Sequence, residues 1–258
     1  MRGSTAEQRQ TRLLIINPNI SVDVTALIKA EALRSAASGT DITAITASFG
    51  VAYIETRFEA MLAAHAVAEA AAQYAAGHDA VIVAAFGDPG MLALREVLPM
   101  PVIGLTEAAL LSACMLGQRF SIIAISTRIS AWYRDTVNSY DLLGRLASIR
   151  CLDRPLRDVS KIQQDHRDAL VALAERAVTE DGADVIVLAG APLAGLARQV
   201  QQLLPVPVVD GVSSAVNHAQ TLISLAAGKA RAGSFAPPPI KPHTGLSAAV
   251  AALLAQRV

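Results

Sequence analysis

The sequence predicts an α/β protein of two similar halves, each a parallel sheet flanked by helices, related by an approximate two-fold axis. Two observations support this fold class. Short apolar runs bounded by Gly, Pro or Asn alternate with longer alanine-rich segments of helical period, which is the pattern of repeated β-α-β units. Similar segments also recur in the same order at a nearly constant separation, which indicates an internal duplication.

The elements are taken in chain order. The short apolar runs are expected to be strands: Leu13–Asn17, Ile42–Thr46, Ala80–Ala85, Val102–Ile103, Phe120–Ile125, Ser148–Leu152, Val185–Ala189 and Val208–Val209. The segments between and after them are expected to be helices: about Val22–Ala37, Glu55–Ala76, Met91–Leu98, Glu107–Leu116, Ile129–Ser139, Ile162–Glu180, Leu196–Leu204 and Ser214–Ala227. Strands that alternate with helices favour parallel pairing.

Three pairs of segments carry the duplication. Arg12-Leu-Leu-Ile-Ile matches Arg119-Phe-Ser-Ile-Ile, Asp79-Ala-Val-Ile-Val matches Asp184-Val-Ile-Val-Leu, and Leu98-Pro-Met-Pro-Val matches Leu204-Pro-Val-Pro-Val, at separations of 107, 105 and 106 residues. We therefore expect a first lobe over residues 12–117, a second over 118–228, and a tail with a last helix over 229–258. Residues 1–11 are polar and lack the apolar segment of a secretory signal, so we expect them to be disordered or vector-derived.

The composition argues against several classes of partner. Lys+Arg 22 balance Asp+Glu 22 without a basic stripe, so nucleic acid is not expected. Hydrophobic residues make up 53% of the chain, yet no apolar run reaches the roughly 18 residues of a membrane span, so no membrane partner is expected. Two cysteines are too few for a disulfide framework and favour a reducing, cytoplasmic compartment. The sequence leaves open whether the chain forms a homo-oligomer.

No cofactor is expected. The five histidines are scattered and show no metal-ligand spacing, so no metal site is predicted. The glycines near residues 87–90 and 190–195 form neither a dinucleotide-binding fingerprint nor a phosphate-binding loop. Trp132 and Tyr133 are expected to form a packing face or a subunit contact.

Polar residues follow the predicted strands of both halves. Asn17 ends the first strand, and Ser126 and Thr127 follow the fifth. Ligands of open parallel sheets bind at the carboxyl ends of the strands, so we expect a cleft between the two lobes. These three side chains can hydrogen-bond a carboxylate or a ureido group, although Asn17 can equally shape the turn after its strand.

Four segments match a known pattern by their order and spacing: Asn17-Pro-Asn19 after the first strand, Tyr53-Ile-Glu55 at the start of the second helix, Phe86-Gly-Asp-Pro-Gly90 after the third strand, and Val209-Asp-Gly-Val212 near the end. Together they are similar to the hydantoin and allantoin racemases of the aspartate/glutamate/hydantoin racemase superfamily. The resemblance runs from about residue 12 to residue 228. It implies a cofactor-independent isomerase in which one cysteine on each side of the stereocentre takes or returns a proton. The matching positions here are Ala85 and Gly190, neither of which can accept a proton, so the two-cysteine mechanism is not available.

The resemblance also implies that Phe86, Gly87 and Ala191 bind substrate, and that Tyr53 and Glu55 lie over it at the start of the second helix. A solvated helix start is the alternative for this last pair.

Three residues are candidates to replace the missing thiols: Tyr53, Asp88 and Glu107. Asp88 can instead be a helix N-cap with Pro89 at the first helical position. Glu107 either faces the cleft or only favours its helix N-terminus electrostatically.

The two cysteines that the chain does contain are not expected to replace the missing pair. Cys114 lies in an apolar helix and Cys151 near a strand end away from the duplicated motifs, so both are expected to be structural.

Two functions stay open on the sequence. The first is a cofactor-independent, racemase-like enzyme that acts on a small carboxylate, amide or hydantoin-like compound. The second is a non-catalytic binding protein, a sensor or carrier, that uses the same cleft for a small-molecule ligand.

Overall fold

The computed structural model describes residues 10–153 and 158–255 and contains two parallel four-stranded sheets. The predicted disordered or vector-derived segment, residues 1–11, lies outside the described residues as far as residue 9. The order is β2-β1-β3-β4 in the first sheet and β6-β5-β7-β8 in the second. This repeated order confirms the predicted two-lobe α/β fold. The strands are β1 Thr11–Asn17, β2 Thr40–Thr46, β3 Ala80–Val83, β4 Val102–Gly104, β5 Phe120–Ala124, β6 Leu146–Cys151, β7 Val185–Leu188 and β8 Val208–Asp210.

The helices lie close to their predicted positions. The second begins at residue 57 rather than 55, because Thr56 caps it: the Thr56 hydroxyl accepts from the Glu59 backbone N–H at 3.2 Å, and the Glu59 carboxylate accepts from the Thr56 N–H at 2.9 Å. The helices of the described residues are α1 Val22–Ser35, α2 Arg57–Tyr74, α3 Met91–Val97, α4 Leu105–Leu116, α5 Ser130–Ser139, α6 Ile162–Asp181, α7 Leu196–Val200, α8 Gly211–Leu225 and α9 Ala248–Ala255.

The inner strands of each sheet, β1 and β3 in the first and β5 and β7 in the second, are buried on both faces. In β1, Leu13 and Ile15 pack into one apolar cluster, while Leu14 and Ile16 pack into another. This alternation follows from the two-residue period of a strand. Strands buried on both faces are continuous apolar runs, which is why the strands could be found from the sequence.

The last helix of each half packs on the sheet of the other half. Helix α4 contacts β7 and β8, whereas α8 contacts β3 and β4, and the two helices also pack against each other. One apolar cluster consequently runs through both halves, from Ile15 and Ile103 to Ile122 and Val187. The predicted boundary between the two lobes, at residues 117 and 118, stays a prediction, because α4 and α8 each contact the sheets of both halves.

The C-terminal tail returns to the first half. Helix α9 packs on α2, and the Ser247 hydroxyl donates to the Glu69 carboxylate at 2.7 Å. Across the described residues, the helices are all too short or too polar to cross a lipid bilayer.

Candidate active site

A small cavity lies between the two lobes, at the carboxyl ends of β3 and β7. Its volume is about 40 Å³, which is room for only a few water molecules. A ring-sized ligand therefore needs one wall to move outward. The surface loop before α2 supplies two of the lining residues. The cavity is lined by Asn19, Tyr53, Ile54, Ala84, Ala85, Phe86, Ile125, Ile129, Tyr133, Gly190, Ala191 and Pro192.

The two positions that match the family cysteines both line this cavity. Ala85 lies two residues after the end of β3, and Gly190 lies two residues after the end of β7, so the positions are equivalent in the two halves. Gly190 has a φ of 114°, in the region that favours glycine. A Cβ at this position would lie 4.0 Å from the Tyr133 hydroxyl oxygen and 3.6 Å from Pro192 Cδ, so space for a small side chain exists.

Tyr133 is the functional candidate that sequence reasoning missed. It stands in the first turn of α5, is only 3% exposed, and packs against Phe86 with ring centroids 4.7 Å apart. Tyr133 lines the cavity, and its hydroxyl oxygen lies 4.0 Å from the position of a Cβ at Gly190. This hydroxyl finds no hydrogen-bond partner within the described parts of the chain.

The pKa of Tyr133 is raised, first by burial and then by the neighbouring Cys151, Asp88 and Glu55. The phenol therefore stays protonated and acts as a donor. The signal in the sequence was its place in the helix that follows the carboxyl end of β5.

The structure contradicts the expectation that Asp88 is the N-cap of α3. That cap is Gly90, and α3 begins at residue 91. The Asp88 carboxylate instead accepts from the backbone N–H groups of Thr106 and Glu107, both at 2.8 Å, and from the Tyr140 hydroxyl at 2.7 Å. Asp88 thus caps α4, a different helix.

Burial raises the Asp88 pKa to about 6, against these hydrogen bonds, which lower it. The carboxyl group does not line the cavity. It fixes the loop that carries Ala85 and Phe86.

The Glu107 side chain forms an ion pair and does not face the cavity. Its carboxylate takes both terminal nitrogens of Arg95, one at 3.0 Å and one in a shorter contact. The pair is bidentate, the geometry that suits a guanidinium and a carboxylate. Glu107 is absent from the residues that line the cavity, so the geometry gives it no direct contact with a ligand there.

Asn17 shapes the first strand-end loop. Its buried amide nitrogen donates to the Ser21 carbonyl at 3.1 Å and to the Thr25 hydroxyl at 2.9 Å, and its oxygen accepts from the Asn19 N–H at 3.3 Å. All of these bonds are local, as in an Asx turn. Asn19, which was not singled out, lines the cavity in its place.

Some of the remaining predicted site residues line the cavity, and the others do not. Ser126 does not line the cavity; its hydroxyl accepts from the Arg128 N–H at 3.2 Å, and Thr127 is exposed. Tyr53, Phe86 and Ala191 do line the cavity.

Two of the implied binding residues lie just outside the cavity. Glu55 lies in the loop before α2, where its backbone N–H donates to the Glu59 carboxylate at 2.8 Å. Gly87 lies against Trp132, where a Cβ would come within 2.1 Å of the indole.

Neither cysteine lines the cavity. Cys114 is half-buried on α4, and Cys151 is half-buried at the end of β6. Burial raises the Cys151 pKa, so this group stays a thiol near neutral pH. Over residues 10–153 and 158–255, His, Cys, Asp and Glu do not gather in threes in a way that could hold a metal ion.

Comparison with known proteins agrees with this geometry. The model of the Asp/Glu/hydantoin racemase family matches residues 13–219. A hydantoin racemase from Paenarthrobacter aurescens is 37% identical over 90% of this chain and 99% of its own length.

Solved structures agree as well. An allantoin racemase from Klebsiella pneumoniae superposes with a TM-score of 0.88 at 35% identity, covering 93% of this chain and 98% of that one. An allantoin racemase from Pseudomonas fluorescens gives 0.86 at 35% identity, covering 91% and 100%. By the extent of these matches and by its two-lobe fold, the chain belongs to the Asp/Glu/hydantoin racemase family.

Proposed function

We propose that this chain is a cofactor-independent isomerase that acts on a small, uncharged, hydantoin- or allantoin-like ring bound between the lobes, without a thiol pair. The observation that carries the proposal is the wall of the cavity. The two equivalent strand-end positions, Ala85 and Gly190, meet there with Tyr53 and Tyr133. A duplicated fold that brings equivalent groups to one cavity suits inversion of a carbon, which needs a proton removed and another returned.

The ligand class follows from charge. The polar side chains among the described lining residues are Asn19, Tyr53 and Tyr133, and none of them is a cation. Burying a carboxylate without a cationic partner costs several kcal/mol. A free amino acid or another carboxylate is therefore disfavoured, whereas an uncharged cyclic ureide can exchange neutral hydrogen bonds with these groups.

Tyr133 supplies electrostatic support for the reaction. Removal of a proton next to a ring carbonyl moves negative charge onto the carbonyl oxygen, and a fixed donor stabilises that charge. The raised pKa of Tyr133 keeps its proton in place while it donates. Tyr53 is the other ionisable side chain among the described lining residues, and we assign it the exchange of the proton with the ring carbon. As phenolate it takes the C5 proton from one face, a water molecule returns a proton to the other face, and the hydroxide left by that water takes the proton from the Tyr53 phenol.

A second function, that of a non-catalytic binding protein, is favoured by the chemical groups that line the cavity. The described lining residues include no carboxylate, imidazole or thiol, the usual groups that move protons near neutral pH. A sensor or carrier that recognises the same uncharged ring needs only the hydrogen bonds and the shape of the cavity.

One experiment separates the two functions. Optically pure 5-benzylhydantoin is incubated with the protein in D2O near neutral pH, beside a protein-free control, while NMR follows the C5 proton. Thermal unfolding is measured in parallel, since a ligand at a hundred times its Kd adds about 2.7 kcal/mol of stability.

Exchange faster than the control, lost in Tyr53→Phe, supports the isomerase. A rise in Tm without exchange supports the carrier. Neither effect with 5-benzylhydantoin or allantoin would overturn the proposed ligand class.

A further inference from the structure

A second cavity lies at the opposite end of the first sheet. Its volume is about 220 Å³, and it shares no lining residue with the inter-lobe cavity. It lies where the chain enters β4 at Val102, at the amino end of the strand, whereas the inter-lobe cavity lies at the carboxyl ends. The tail at residues 227–230 forms one of its sides.

The walls of this second cavity are mostly apolar. Leu98 and Met100 come from the segment that leads into β4, Leu222 from the last turn of α8, and Phe235 from the tail. An apolar cavity of about 150 Å³ is enough to hold benzene. A single aromatic ring with a short substituent is therefore an appropriate size.

Two cations border the cavity, and of these two only Arg95 forms a direct ion pair with a described carboxylate. Arg95 donates from Nε to the Val102 carbonyl at 2.9 Å and forms the bidentate ion pair with Glu107. Lys229 donates to the Glu96 carbonyl at 2.7 Å. The Glu96 carboxylate also attracts this ammonium, but within residues 10–153 and 158–255 no carboxylate forms a direct ion pair with it. An ammonium has three donors, so two N–H groups and a positive charge remain at the rim.

We propose that this cavity binds a small aryl carboxylate, with its ring against Leu98, Leu222 and Phe235 and its carboxylate on Lys229. The apolar walls contact the ring, and the ammonium supplies the charge that the inter-lobe cavity lacks. The two cavities thus select opposite ligand classes, an anion here and an uncharged ring between the lobes.

Calorimetry with sodium phenylacetate tests this site on the full chain. We expect saturable binding of one molecule per chain, and at least tenfold weaker binding of the uncharged analogue 2-phenylethanol. Lys229→Met should weaken phenylacetate binding at least tenfold. Lys29→Met, which removes an exposed lysine on α1, is the matched control and should bind as the parent does.

A second variant tests the apolar part of the site. Ala230→Trp places a large side chain at an exposed lining position and should abolish binding while the circular dichroism spectrum is unchanged. Binding of 5-benzylhydantoin should be unaffected by Lys229→Met, and phenylacetate should not compete with it.

Three results would overturn the site: no saturable binding, equal binding by parent and Lys229→Met, or competition with the hydantoin. Self-association that depends on Leu222 and excludes phenylacetate would show that a second copy covers the cavity, which would also overturn it.

Discussion

The Tyr140 hydroxyl donates a 2.7 Å hydrogen bond to the Asp88 carboxylate, and this bond joins the two halves beside the cavity. Tyr140 follows α5 of the second half, and Asp88 lies in the loop after β3 of the first half, two residues beyond the cavity wall at Phe86. The same carboxylate holds the start of α4. One buried group therefore fixes the cavity loop to elements from both halves.

Removing the Tyr140 hydroxyl should destabilise the fold. Tyr140→Phe leaves the buried carboxylate with only its two backbone donors, and a hydrogen bond to a charged group contributes about 1.5–3 kcal/mol. Urea unfolding at pH 8, where Asp88 is ionised, measures the loss. Tyr74→Phe, at a tyrosine that is 49% exposed, should change the free energy of unfolding by no more than about 0.5 kcal/mol. Equal effects of the two variants would contradict the role of the bond.

The ionisation of Asp88 should make stability fall as pH rises. Burial raises its pKa from the ordinary 3.8 to about 6, so the folded protein binds this proton more tightly than the unfolded chain. The stabilising contribution is complete below pH 3.8 and is lost as pH rises through 6, by on the order of 2–3 kcal/mol.

The difference in unfolding free energy between the parent and Asp88→Asn isolates this group from the other carboxylates. That difference should shrink between about pH 4 and pH 7. A difference that grows with pH would mean that the hydrogen bonds outweigh burial.

The Tyr133 hydroxyl should matter for the ligand and not for the fold. It has no hydrogen-bond partner in the described residues, so Tyr133→Phe should leave the Tm unchanged or raise it. Loss of a donor should weaken binding of 5-benzylhydantoin by up to about tenfold, since one hydrogen bond contributes about 0.5–1.5 kcal/mol. A fall in Tm with unchanged affinity would identify the side chain as structural only.

Restoring two thiols should raise racemase activity above that of the parent. The double variant Ala85→Cys with Gly190→Cys should exchange the C5 proton of 5-benzylhydantoin faster than the parent does, and neither single variant should exceed the parent, because one thiol serves only one face of the ring. The φ of 114° at Gly190 makes that substitution cost about 1–3 kcal/mol, so urea unfolding must be measured in parallel. A double variant that folds and binds the hydantoin without exchange would show that the cavity has lost the family geometry.

Most of the fold could be predicted from the sequence, because it depends on burial that is local in sequence. The strands β5 and β7 are apolar runs buried on both faces. Asp79 and Asp184 directly precede β3 and β7, at equivalent positions in the two halves. Boundaries were less certain, since the Thr56 capping box moved the start of α2 by two residues. The family resemblance was confirmed by the extent of the matches.

The site was harder to predict, because its contacts depend on tertiary structure. Asp88 next to Pro89 has the local pattern of a helix N-cap, but its hydrogen bonds go to a helix that begins 17 residues later. Asn17 uses its amide on its own loop, and Asn19 reaches the cavity. Tyr133 follows a tryptophan in a helix, a pattern typical of packing, and only the placement of α5 over the β3 loop makes its hydroxyl part of the wall.

The crossing of α4 and α8 between the sheets gives the molecule the architecture of a domain-swapped dimer fused into a single chain. Pulling the halves apart would strip each sheet of the helix that covers it and expose an apolar face to water. Opening the cavity by a hinge between the halves would therefore cost the free energy of exposing those apolar faces. The loop before α2, which contributes Tyr53 and Ile54 to the cavity wall, belongs to neither of these two helices, so a change in that loop would leave both sheets covered.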